Sequence, residues 1–179
     1  MGDYEVLNSK HTYHGQILDV YIDTLNMPNG KPADREIVTR AVTGASAVVA
    51  VSDDLTVTLV KQYRHPAKRI MLELPAGIAE DGEDLSVCAA RELLEETGLT
   101  VTSIKLLTVI YPSVGYCAEQ IHIFLARVGD EIIPQKLDSD EFVEIEKYPL
   151  AEAVKLVEDG KIDDGKTIIG LLMAARLLL

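Results

Sequence analysis

The chain has 179 residues, 47% of them apolar, and a formal charge of −12 at pH 7. That length suits one domain or a domain with a small appendage, and the apolar share is enough to build a core, so disorder is excluded. The charge argues against a nucleic-acid partner, because such binding depends on Lys and Arg neutralising phosphates.

The opening stretch "MGDYEVLNSK" has no apolar h-region, so no signal peptide is expected. Residues 4–42 alternate as strands do: Leu18, Val20 and Ile22 share one parity, and Asp19, Tyr21 and Asp23 the other. "MPNGKP" (Met27–Pro32) is a turn by its Asn-Gly and its two prolines, and "REIVTRAV" follows as a further strand. Residues 1–42 therefore form a small N-terminal β-sheet region. It holds too little core to stand alone and is expected to pack on something, such as a second subunit. Residues 43–179 form the main domain.

"ASAVVAVS" and "LTVTLVKQYR" are β-rich runs joined at "SDD", a hairpin signal. "MLELPAG" is a short strand ending at Pro75, and "TVTSIKLLTVIYPS" and "EQIHIFLARV" are two more. "EFVEIEKYPL" is a strand leading to a turn. "LAEAVKLVEDG" is an amphipathic helix stopped by Gly160, and a more buried helix starts near Thr167. The last run, "TIIGLLMAARLLL", contains Arg176 and is too short to span a bilayer, so no membrane partner is expected. The order of elements predicts a mixed α/β (α+β) layer arrangement, with a central helix against a sheet. The two cysteines, Cys88 and Cys117, lie in no metal-ligand spacing, which points to free thiols and a cytoplasmic chain.

The central helix is expected over Leu85–Thr97, with Gly82 and Asp84 at its start and Gly98 just past its end. At about 100° per residue, Val87, Ala90, Leu93 and Leu94 share one face, and Glu92, Glu95 and Glu96 gather on the opposite, exposed one. Like charges so spaced destabilise a helix by roughly 0.2–0.5 kcal/mol per pair, and Arg91 can relieve only part of this through Glu95. A glutamate cluster taken alone is most often a solvated acidic face. The sharper reading is a site for a hard cation, which takes oxygen ligands and removes the repulsion.

The surrounding pattern decides between them. Gly77, Glu83, Arg91, Glu92, Leu93, Glu95, Glu96, Gly98 and Leu99 stand as G-x5-E-x7-R-E-U-x-E-E-x-G-U, where U is apolar. This resembles the signature of the Nudix hydrolase family at every fixed position, and the resemblance spans roughly residues 40–179. It implies an α/β/α sandwich with a mixed sheet, and Mg²⁺- or Mn²⁺-dependent cleavage of a pyrophosphate in a nucleoside diphosphate derivative. It also implies that Glu92 and Glu96 ligate metal, with Glu95 a ligand or a base, and that Ala76, in "PAG", lends its carbonyl. Glu83 and Arg91 would form an ion pair fixing the loop on the helix, and Arg91 is counted with Glu95 and Glu141 in the catalytic group.

Four further pieces resemble the ADP-ribose pyrophosphatase branch: "KQYR…LELPAG", "REIV", "SVGYCAE" and "EFVEI". By that match, Arg35 and Arg64 contact substrate and Glu119 sits by the terminal ribose or its phosphate. Glu141 is a mobile acid closing on the metal site, a role Asp138 or Asp140 could share. The branch implies hydrolysis of ADP-ribose to AMP and ribose 5-phosphate by a homodimer exchanging N-terminal strands. One departure stands out: Val114 occupies the place of the proline in S-P-G-x-x-x-E. Another nucleoside diphosphate sugar, such as a GDP-sugar, therefore stays open as the substrate. A non-catalytic ADP-ribose sensor is disfavoured by the full set of box acids. The histidines are scattered without helix-ligand spacing, and His122 is expected to be packed and hydrogen-bonded.

Overall fold

The computed structural model describes residues 4–40, 44–137 and 141–179. Two units separate. The first takes the described residues up to 40 together with Tyr111–Gln120, and the second takes Gly44–Ile110 and the described residues from Ile121 onward. Asp138 and Asp140 lie outside the described residues.

The first unit is a three-stranded antiparallel sheet of β1 (Glu5–His14), β2 (Asp19–Asn26) and β3 (Pro32–Thr39), with β2 in the middle. Gly30 makes the turn before β3 with a φ of 73°, a conformation that glycine adopts without Cβ strain. Tyr111–Gln120 joins this unit through a parallel bridge of Val38 with Cys117; the Val38 N–H donates to the Tyr116 carbonyl at 2.8 Å.

The second unit is built on β4 (Ala45–Val51). Ala47 to Val51 are all fully buried, the continuous apolar run of a strand covered on both faces. Its alternation sorts two cores. Ala47, Val49 and Val51 pack with Leu171 and Ala174 of α3 (Gly165–Leu178) and with Leu150 and Ala153 of α2 (Leu150–Glu158). Val48 and Ala50 pack with Ala89 and Leu93 of α1 (Leu85–Thr97). The result is an α/β/α sandwich. Its sheet also holds β5 (Thr56–Arg64), β6 (Arg69–Glu73), β7 (Ala76–Ile78), β8 (Leu99–Ile110), β9 (Ile121–Ile132) and β10 (Val143–Pro149). The main path runs β10-β5-β4-β9-β8, with β6 on β5 and β7 on β4; only the β4–β9 pair is parallel. Gly170 lets α3 approach closely: a Cβ there would lie 2.7 Å from Leu74 Cδ1 and 2.9 Å from Val49 Cγ2. Among the described residues no helix is long and apolar enough to cross a membrane.

Three expectations change. "MLELPAG" is two strands, because the chain breaks at Leu74–Pro75: the Leu74 N–H turns to Thr167 Oγ1 (2.9 Å), and the Pro75 carbonyl accepts from Val48 N–H (3.0 Å). The buried side of α1 is Cys88, Ala89 and Leu93, while Val87 is 56% exposed. His122 has no hydrogen-bond partner at its buried Nδ1 among the described residues.

Candidate active site

Helix α1 has both ends fixed by its own sequence. The Asp84 carboxylate accepts the Ser86 N–H at 2.8 Å. Gly98 closes the helix at φ 72° with its N–H on the Leu94 carbonyl, and a Cβ there would collide with the Ile133 carbonyl. The segment after β9 is tied along this end, by Ile133 N–H to Gly98 O (3.0 Å) and Lys136 N–H to Glu95 O (2.9 Å). The Glu141 carboxylate accepts from Gln62 Nε2 of β5 at 3.4 Å.

The acidic face of α1 is not a free surface. Glu96 is 2% exposed and the Glu92 side chain 16%, a correction to the exposed face read from the helical wheel. The helix packs against β5, β7 and β10 as well as β4, β8 and β9. Glu96 Oε2 accepts the Ala76 N–H at 3.3 Å, which brings the start of β7 beside the helix. Glu92 lies over Gly77, where any Cβ would overlap its carboxylate.

Arg91 organises the loop. It donates to both oxygens of Glu83 at 2.9 Å and to the Ile78 carbonyl at 3.1 Å. It also reaches Glu92 at 2.8 Å and Glu95 at 3.0 Å. The guanidinium holds the Glu83 carboxyl down at about 2.

Two buried glutamates show what the site lacks. Glu73 is 2% exposed; burial works against its charge, yet Arg64 and Lys166 bring its carboxyl below the usual range. Arg64 grips it with a fork at 2.8 and 2.9 Å, and Lys166 shares its Oε2. Glu96 is equally buried but has no cation bonded to it among the described residues. Burial first, then the Glu141 and Glu92 carboxylates, push it up to about 8. Glu92 is raised too, chiefly by burial. Among the described residues, the carboxylates of Glu92, Glu95, Glu96 and Glu141 do not bring three donor atoms within 4.8 Å of one another; Arg91 bonds one oxygen each of Glu92 and Glu95. An all-oxygen donor set with excess negative charge fits a hard divalent cation.

Arg64 lies in the same unit as these acids and feels Glu96. Arg35 and Glu119 belong to the first unit. Arg35 donates to the Asp34 carbonyl at 2.8 Å, and Glu119 pairs with Arg40 at 3.0 Å. Glu73 and Lys166 escaped the sequence reading. Their separation of 93 residues leaves no local signal, although "LELPAG" put a glutamate in a strand otherwise apolar.

Two outcomes are expected. Gly77→Ala should leave stability within about 1 kcal/mol, because the Glu92 side chain can swing away, but should raise the divalent concentration needed for half-maximal binding about tenfold. Calorimetric Mg²⁺ titration checks it. Glu73→Gln should cost about 2 kcal/mol in urea unfolding. This is below the usual loss for a broken buried pair because Arg64 is 41% exposed and water takes up part of its charge.

The comparisons agree with this geometry. A family model of the NUDIX domain matches residues 42–169. The chain is 40% identical over 164 residues to the ADP-ribose pyrophosphatase of Bacillus subtilis (strain 168), covering 91% of this chain and 88% of that protein. It is 34% identical over 168 residues to the methanol dehydrogenase activator of Bacillus methanolicus, covering 93% and 90%. A crystal structure of an ADP compounds hydrolase superposes with a TM-score of 0.83 at 23% identity, covering 99% of this chain and 95% of that one, which shows the fold. Enzymes of the matched family generally need a divalent metal. With the match running through β4, the acidic helix and both flanking helix layers, the chain belongs to the Nudix family.

Proposed function

We propose that this chain hydrolyses the pyrophosphate of ADP-ribose to AMP and ribose 5-phosphate, with Mg²⁺ or Mn²⁺ as cofactor. The observation that carries the chemistry is Glu96, a buried carboxylate held at about 8 beside two other acids and without a cation of its own. The substrate follows from the likeness to the Bacillus subtilis enzyme.

In this reading Glu92 and Glu96, with the Ala76 carbonyl, hold the cation, and Glu95 and Glu141 complete the acidic ring. When bound, the cation neutralises phosphate oxygens and makes the attacking water more acidic. Glu95, whose side chain is 32% exposed, accepts the water's proton in this reading. Glu141 comes in from the strand-end segment and adds charge where the helix acids already sit. Arg91 acts as a positioning residue, because Glu83, Glu92, Glu95 and the Ile78 carbonyl take up its donors. Glu73 fixes the Arg64 fork through Nε and Nη2, leaving its Nη1 donors to a phosphate oxygen. Arg35, which has no carboxylate partner among the described residues, supplies a second substrate contact, and Glu119 a contact to the terminal ribose.

The N-terminal strands are the dimer element. Strand β1 pairs only with β2, is exposed at all ten positions, and presents Val6 and Tyr13 more than half exposed. The two free cysteines suit a cytoplasmic chain. Neither nucleic acid nor membrane is a partner in this reading. A second reading, another nucleoside diphosphate sugar, is favoured by Val114, which is 78% exposed where the branch has proline.

The test is incubation of the full chain with ADP-ribose and Mg²⁺, with products resolved by chromatography. AMP and ribose 5-phosphate, absent under EDTA, are expected. Intact ADP-ribose beside cleavage of a GDP-sugar would replace the first reading by the second.

A further inference from the structure

We propose that His11, His14 and Asp19 form a separate metal site in the first unit, for a divalent transition ion such as Zn²⁺, Ni²⁺ or Co²⁺. It is independent of the hydrolase reading. His11 Nε2 lies 2.8 Å and His14 Nδ1 2.7 Å from the same oxygen, Asp19 Oδ1, and the three ligand atoms all fall within 4.8 Å of one another. Among the described residues this is the set of His, Cys, Asp and Glu that meets that spacing.

The convergence has a specific backbone cause. On a regular strand, residues three apart point to opposite faces. Between His11 and Tyr13 the β1–β2 register shifts, with His11 opposite Tyr21, Tyr13 opposite Val20 and His14 opposite Asp19. The irregularity puts His11 and His14 on the face that Asp19 and Tyr21 share. Tyr21 stacks on the His11 ring, with centroids 4.6 Å apart and planes 12° apart, and so fixes the imidazole's orientation. The turn is held by Gly15 N–H on the Leu18 carbonyl at 2.9 Å, which keeps His14 and Asp19 together across four residues.

Donor chemistry separates this site from the acidic helix. Two imidazole nitrogens and one carboxylate suit borderline first-row ions, whereas an all-oxygen set suits Mg²⁺. The Asp19 side chain is 14% exposed and the His14 side chain 75%, so the carboxylate is anchored while the outer side stays open to water or a further ligand. A bound ion would clip β1, an edge strand, to β2.

The test uses the full chain, stripped with chelator and then saturated with Mg²⁺ so that the acidic site is filled. Co²⁺ is titrated by calorimetry and visible absorption. One equivalent should bind despite the Mg²⁺, and its paramagnetism should broaden the imidazole NMR signals of His11 and His14. His14→Ala, a change at an exposed position, and Asp19→Asn should each weaken that equivalent at least about tenfold. Glu96→Gln should retain it. Uptake that is unchanged in both first-unit variants, uptake that is lost in Glu96→Gln, or no uptake under Mg²⁺ would overturn the proposal and leave two histidine–aspartate hydrogen bonds.

Discussion

Glu96→Gln is expected to lower turnover by about a thousandfold or more at saturating divalent cation, while the metal-free protein stays folded and becomes no less stable. Both halves come from one environment. The side chain is 2% exposed and its carboxyl is raised to about 8, so near pH 7 the metal-free protein keeps a proton there. Glutamine copies that neutral form in shape, and its carbonyl oxygen can still accept the Ala76 N–H. What it lacks is the charge that holds a cation, whose loss removes several kcal/mol of transition-state stabilisation. A kcat within tenfold of wild type would remove Glu96 from the metal site.

The second large effect is on stability against pH in the metal-free protein. The folded Glu96 value, about 8, lies above its ordinary 4.5, so the folded state prefers the protonated form. Its contribution is therefore undiminished below about pH 4.5 and is lost as pH rises toward 8, by up to the order of 5 kcal/mol. Glu92, also raised, acts in the same direction. Glu83 acts oppositely: depressed to about 2, it contributes stability above its ordinary 4.5 that is lost as pH falls toward 2. Urea unfolding at a series of pH values should show the alkaline loss under EDTA and a much flatter profile in Glu96→Gln. Mg²⁺ should restore stability more at pH 8.5 than at pH 5.5, where protons compete for the same carboxylate. An alkaline loss of equal size in the variant would assign it to other groups.

The helix that carries these acids was legible because its limits are chemical and local. Asp84 caps it and Gly98 ends it, and the bounds Leu85–Thr97 follow from those two residues. Strand β4 was legible as a β-rich run ending at a hairpin signal, while its burial on both faces is a finding of the structure. Burial of Glu96 was not legible. A helical wheel sorts residues against one apolar neighbour, and here the helix also packs against β5, β7 and β10. Glu73 with Lys166, and His11 with His14 across a register shift, were hidden because neither a distant partner nor a bulge leaves a mark in residue periodicity. Tyr111–Gln120 read as the end of one strand and the start of the next, yet it belongs with the first unit through Val38.

The most direct measurement is kcat/KM for ADP-ribose and for GDP-mannose, side by side, on the full chain at saturating Mg²⁺. ADP-ribose should lead by at least about tenfold, and EDTA should abolish turnover of both. Equal values, a lead for GDP-mannose, or turnover that survives EDTA would contradict the proposed function.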